Sequence, residues 1–166
     1  YPDESENYSH PEAAVTEADG NITITSGGVS VVFDKDTALM SIKKGNKTVM
    51  EEKEPLILEE GRNVQTLKKR DGENFYGGGM QNGRFVHTGE SINIVNEGKW
   101  VDGNVTSPNP FYYTTDGYGV LRNTFHDGFY NFGKAEADTV EAVHDSESEF
   151  DAYYFVAKSD DGRKVT

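Results

Sequence analysis

From Asn21 onward the chain is a succession of short runs that alternate apolar and polar residues, and glycine, asparagine or aspartate breaks almost every run. Asn21–Thr25 and Val29–Asp34 flank Gly27-Gly28. Asp34-Lys35-Asp36 leads into Ala38–Lys43, and Gly45-Asn46 leads into Lys47–Glu51. Residues two apart share a face of a strand, so period-two runs joined by tight turns specify antiparallel hairpins. No window holds apolar residues at i, i+3, i+4 and i+7 for three turns, so no helix is expected. Further strands are expected at Pro55–Glu60, Asn63–Arg70, Glu73–Tyr76, Ile92–Val95, Phe111–Thr114, Tyr118–Asn123, Gly128–Phe132, Thr139–Val143 and Glu149–Val156. Residues 77–89 read mostly as loop with a short strand at Arg84–Val86, and residues 97–110 as a long ordered loop. The pattern predicts an all-β fold, an antiparallel two-sheet β-sandwich rather than a closed barrel.

A length of 166 residues fits one domain with a real core and leaves no room for a (β/α)8 barrel of about 250 residues. The hydrophobic fraction of 34% is low, but aromatic residues make up 11%, which separates this chain from disordered ones. Residues 1–19 are acidic, contain proline and lack periodicity, so they read as a linker or arm. Residues 20–158 read as the sandwich domain and residues 159–166 as the start of a connection. With no initiator Met and no signal-peptide pattern, the chain reads as a processed or excised fragment. A formal charge of −13 without a basic stripe argues against nucleic acid and anionic membranes as partners. No stretch is apolar enough to span a bilayer. The absence of cysteine excludes disulfides and thiolate zinc sites. His10, His87, His126 and His144 are scattered, so no metal site and no cofactor is expected. Asn-x-Ser/Thr triplets at Asn7, Asn21, Asn46 and Asn104 matter only in a eukaryotic secreted protein.

Three segments are candidates for chemistry. Tyr76-Gly77-Gly78-Gly79-Met80-Gln81-Asn82-Gly83 has the glycines of a phosphate loop, but no helix follows and no Lys-Ser/Thr pair closes it, so a backbone bend outranks phosphate binding. In the loop of residues 96–110, Trp100 offers a flat apolar face to a sugar ring and Asp102 offers a carboxylate to its hydroxyls. From these residues alone, packing of Trp100 beneath the loop outranks sugar contact. Pro110-Phe111-Tyr112-Tyr113-Thr114-Thr115-Asp116-Gly117-Tyr118-Gly119-Val120-Leu121 is a pair of aromatic strands around an Asp-Gly turn and reads as core and sheet.

The same segments carry a resemblance. Tyr76 to Gly83, Trp100-Val101-Asp102-Gly103, Ser107-Pro108-Asn109-Pro110-Phe111-Tyr112, Asp116-Gly117-Tyr118-Gly119-Val120 and Asn123-Thr124 occur in one order, closed by Phe150-Asp151-Ala152-Tyr153-Tyr154-Phe155-Val156. That ordered set, over roughly residues 20–158, resembles the N-terminal domain of family 31 glycoside hydrolases, the α-glucosidase family. The resemblance implies a galactose-mutarotase-like β-sandwich packed against a catalytic (β/α)8 barrel of the same parent chain. It implies retaining hydrolysis of α-glycosidic bonds by two aspartates of that barrel. Neither of those motifs is present here, so no catalytic residue is assigned and the chain is expected to be inactive alone. What carries over is support for the barrel and a substrate-binding loop, with Asp102 contacting sugar hydroxyls and Trp100 as a stacking wall; here the resemblance reverses the order given above. The Gly-Gly-Gly-Met-Gln-Asn-Gly form is similar to large secreted bacterial members. It therefore implies an extracellular or cell-surface location and an α-linked saccharide as substrate of an α-glucosidase, glucosyltransferase or α-N-acetylgalactosaminidase.

Two other classes compete. An independent carbohydrate-binding module would carry its own platform of exposed aromatics and bind sugar by itself. A complete mutarotase-like enzyme would need a general acid and base, and no histidine pairs with a partner in the sequence. An excised domain would expose the apolar patch that met its barrel and would self-associate.

Overall fold

The computed structural model describes residues 12–59, 61–81, 83–95 and 105–158. Fourteen antiparallel strands and no helix occur among the described residues: β1 (Ala14–Ala18), β2 (Asn21–Ser26), β3 (Val29–Asp34), β4 (Met40–Lys44), β5 (Lys47–Glu51), β6 (Ile57–Glu59), β7 (Arg62–Lys68), β8 (Phe75–Gln81), β9 (Ser91–Ile94), β10 (Val105–Thr114), β11 (Tyr118–Arg122), β12 (Gly128–Phe132), β13 (Thr139–Asp145) and β14 (Ala152–Val156). The expected all-β fold is thus present among the described residues.

The strands form a meander β1-β2-β3-β4-β5, a sheet β6-β7-β13-β12-β9 and a sheet β14-β11-β10-β8. A single bridge from Glu52 to Leu67 joins the end of β5 to β7, so the meander runs on into the second sheet. The third sheet is the opposite layer. Tyr112 of β10 meets Tyr130 and Phe132 of β12 edge-on at 5.4 and 5.3 Å, and Phe75 of β8 stacks on Phe132 at 4.8 Å. These rings join Ile42, Met50, Leu67, Tyr118, Val120 and Val140 in one buried cluster. The sequence has nineteen aromatic residues, and those in this cluster offset a low aliphatic content, since each ring buries a large area.

Four local expectations are corrected. Ala14–Ala18, inside the stretch read as an arm, is a strand paired with β2, although all five residues are exposed. The triple glycine lies in strand β8 rather than in a loop, and β10 begins at Val105, inside the segment read as a long loop. Between them the pairing is bulged, with register shifts between Val105 and Ser107 and between Pro108 and Tyr112. Bulges break the period-two signature that identifies strands, so the alternation was not there to be read. Arg84–Val86 forms no strand. The strands expected from Ala38, Pro55 and Glu149 start later, at Met40, Ile57 and Ala152.

Glycine is required where β8 and β10 close up. A Cβ on Gly77 (φ +112°) would sit 2.5 Å from the Phe111 carbonyl oxygen, and one on Gly79 (φ +77°) would sit 2.5 Å from the Asn109 nitrogen. Neither contact is available to a real side chain, and both φ values favour glycine. The segment is a close backbone approach, which agrees with the structural reading of the glycines.

Candidate functional site

Trp100 and Asp102 lie outside the described residues, as do Asn7 and Asn104, the first eleven residues of the arm and residues 159–166. What is described is the frame around the loop that carries them. β9 ends at Ile94 and β10 starts at Val105, and beside this gap opens a cleft of 410 Å³. Ile94, Ser107–Pro110 and residues 121–127 line it. A second cleft, of 310 Å³, is lined by residues 123–126, 146–149 and Asp151. The Asn123–His126 turn belongs to both, so it forms the wall between them.

The turn is held from below. Arg122, the last residue of β11, is buried at 1% exposure, on the inward face with Tyr118 and Val120. Its Nη2 donates to Glu147 Oε2 at 2.9 Å, its Nε donates to the Asp151 carbonyl at 3.3 Å, and its guanidinium lies 4.0 Å over the Phe150 ring. One fully buried cation therefore ties residues 147–151 to the strand that launches the turn. A buried pair of this kind fixes geometry more than it adds net stability. Asn123 Nδ2 donates to Asp151 Oδ2 at 2.6 Å, and the His126 amide donates to Thr124 Oγ1 at 3.0 Å, which closes the turn. At its tip the Phe125 side chain is fully exposed.

Both buried histidines are engaged in hydrogen bonds. His144 Nδ1 lies 3.1 Å from the His126 carbonyl, which only accepts, so Nδ1 carries the proton and Nε2 accepts from the Tyr130 hydroxyl at 3.0 Å. Burial pushes the His144 pKa down, opposed by the hydrogen bond to that carbonyl. His87 is likewise lowered by burial, and its Nε2 donates to the Gly77 carbonyl at 3.0 Å. Both imidazoles are neutral props, one under the turn and one under the glycine bend. Among the described residues there is no cluster of three potential metal ligands, and no helix is long and apolar enough to cross a membrane.

The outer face of β14-β11-β10-β8 is aromatic. Tyr76 and Tyr113 are direct cross-strand partners, stacked at 5.3 Å. Phe85 leans on Tyr76 at 5.5 Å, Phe111 stacks on Tyr113 at 6.1 Å, and Phe155 meets Phe111 edge-on at 5.8 Å. Gly119 makes room for this row: a Cβ there would press on Phe111 and Tyr113 at 3.3 Å. The sequence reading of this block as core and sheet holds for alternate residues only. Tyr112 points in, while Phe111 and Tyr113 point out.

Comparison with known proteins locates this architecture. The family model of the glycosyl hydrolase 31 N-terminal galactose mutarotase-like domain matches residues 2–131. An α-xylosidase of Emericella nidulans is 38% identical over 65 residues, which cover 39% of this chain and 8% of the relative. Among solved structures, a family 31 dextranase of Flavobacterium johnsoniae in complex with glucose superposes with a TM-score of 0.76 at 17% identity, covering 87% of this chain and 18% of that one. The cycloalternan-forming enzyme of Listeria monocytogenes, in complex with a pentasaccharide substrate, gives 0.79 at 16% identity, covering 89% and 16%. A family 31 α-xylosidase from a soil metagenome, complexed with xylose, gives 0.76 at 17%, covering 89% and 25%. The chain thus spans a quarter or less of each of these proteins.

Proposed function

The chain belongs to the family of glycosyl hydrolase 31 N-terminal galactose mutarotase-like domains, and on that premise we propose that it is a non-catalytic part of a longer α-glycosidase. In this reading it supports a catalytic barrel through its outer aromatic face and lends the barrel a substrate-binding loop. The observation that carries the proposal is the row Phe85–Tyr76–Tyr113–Phe111–Phe155 on the sheet face turned away from the core. Sheets of this kind keep one face for the core and one for solvent, and the solvent face is ordinarily polar. An aromatic second face is the chemistry of a surface that another protein layer covers. Stacked on one another, Tyr76, Tyr113 and Phe111 have little ring face left for a sugar, so the row favours a protein partner over an independent sugar platform.

The loop of residues 96–104 supplies the second half of the role. Asp102 accepts hydrogen bonds from sugar hydroxyls at the mouth of the barrel, and Trp100 stacks on the ring. The cleft between Ile94 and Ser107 is lined by Asn109, Asn123, Ser107, Thr124 and two prolines together with Phe125, His126, Asp127 and the buried Arg122, a mixed polar and apolar wall that suits a saccharide. The chain itself breaks no bond, because both aspartates of the retaining mechanism belong to the barrel.

The test is turnover of an aryl α-glucoside and an aryl α-xyloside by the full-length enzyme that contains this chain. Asp102→Asn is expected to raise KM roughly tenfold, the loss of a charge-assisted hydrogen bond. Trp100→Ala is expected to act in the same direction. Unchanged kcat/KM in both variants would reduce the sandwich to a scaffold.

A further inference from the structure

We propose that Phe125 is a saccharide-stacking residue, and that the two clefts it divides form a neutral-sugar contact site on the sandwich itself. This goes beyond the role of the 96–104 loop, because it needs neither Asp102 nor the barrel.

Phe125 is the most exposed large apolar side chain described, and no aromatic ring pairs with it among the described residues. The rings of the outer face cover one another, whereas Phe125 offers ring surface to solvent. Exposing a phenyl group at the tip of a turn forgoes the hydrophobic stabilisation that burial would give it. The turn is nevertheless built to hold it there. The Asn123–Asp151 bond, the Thr124 hydroxyl bond and the buried Arg122–Glu147 pair all fix the segment on either side of the ring.

The flanks match one ligand chemistry. On one side stand Ser107, Asn109 and Asn123 with Pro108, Pro110 and Leu121. On the other stand Ser146, Ser148, Glu149 and Asp151. A pyranose needs an apolar surface for its C–H face together with amides, hydroxyls and carboxylates for its hydroxyls, and both flanks provide these. Among the described residues lining the two clefts, Arg122 is the only arginine or lysine and it is buried against Glu147, and the net charge of −13 disfavours a phosphate or other anion.

The sequence hides this site. Asn123-Thr124-Phe125-His126-Asp127 has the composition of a turn, and its single aromatic looks like any loop anchor. The signal available was an aromatic at the centre of a five-residue polar turn, with no neighbouring apolar residue to pack on.

The experiment is a titration of the ¹⁵N-labelled chain with isomaltotriose, followed residue by residue by NMR. Shift changes are expected at the amides of residues 107, 109 and 123–127. They should persist in Phe125→Trp and Asp102→Asn, and the apparent affinity should fall roughly tenfold in Phe125→Ala. Because Phe125 contributes nothing to the core, the alanine variant keeps the spectrum of the folded chain. No shift changes with any variant, changes confined to other residues, or equal affinity in Phe125→Ala would each overturn the proposal. Loss of binding in Asp102→Asn with Phe125→Ala unaffected would also overturn it, while leaving the loop reading intact.

Discussion

Glu73 is a carboxylate at 1% exposure in the turn before β8, and its chemistry is set by what surrounds it. Oε2 accepts the Arg70 amide at 3.0 Å, while Arg70 itself is engaged with Asp116 at 2.8 Å. Burial raises the Glu73 pKa, opposed by the Arg70 amide, and the nearby Asp116 adds to the rise. With a raised folded pKa, the native state holds more protons than the unfolded chain once the pH passes the ordinary value of 4.5. Stability is therefore lost as pH climbs through that window, by linkage. Glu73→Gln should raise the urea midpoint at neutral pH, with a gain that shrinks as the pH falls to 4.5. A gain that is constant with pH, or a loss at neutral pH, would mean that the charged form is the better accommodated one. His144 and His87 act with the opposite dependence. Held neutral by burial, they add stability at neutral pH that is lost as the pH falls below their ordinary 6.5. None of these residues was legible as buried in the sequence, because a charged or titratable residue reads as exposed until a neighbouring strand closes over it.

The informative element is the β8–β10 pair. Where alternation was intact, as in Asn21–Thr25, Val29–Asp34 and Lys47–Glu51, the strands could be read to within a residue. Where glycine replaces side chains the pattern is empty, and Tyr76-Gly77-Gly78-Gly79 reads as a bend although it lies in a strand. The glycines nevertheless mark the right thing, since Gly77 and Gly79 are where β10 presses its backbone against β8. Gly77→Ala forces a Cβ against the Phe111 carbonyl in a backbone region alanine avoids. It should cost about 1–3 kcal/mol from the conformation alone, and more once β10 is displaced. Chemical unfolding measures the loss. A midpoint equal to wild type would show that β8 does not approach β10 this closely. β10 also starts the far wall of the cleft, so the same substitution should disturb residues 107–110 before it disturbs the β2–β3 hairpin.

At the scale of the whole molecule, two aromatic layers lie on either side of one four-stranded sheet. The inner layer, with Phe75, Tyr112, Tyr118 and Tyr154, makes the core. The outer layer, with Tyr76, Tyr113, Phe111 and Phe155, lies on the far side of the same strands. The sequence displayed the aromatic block but not its division, because Phe111-Tyr112-Tyr113 has no polar residue to mark which face is solvent. The family and the all-β fold were legible from the order of the segments; the aromatic outer face was not, since it depends on which strands become neighbours. In the proposed function this face is covered by the barrel of a longer glycoside hydrolase. Hydroxyl-radical footprinting of Tyr76, Phe85, Tyr113 and Phe155, in the isolated chain and in the full-length enzyme that contains it, tests this directly. Strong oxidation is expected in the isolated chain, at Phe85 above all, and protection of the row in the full-length enzyme, with the exposed Val15 side chain of β1 equally reactive in both. Equal oxidation of the aromatic row in the two proteins would contradict it.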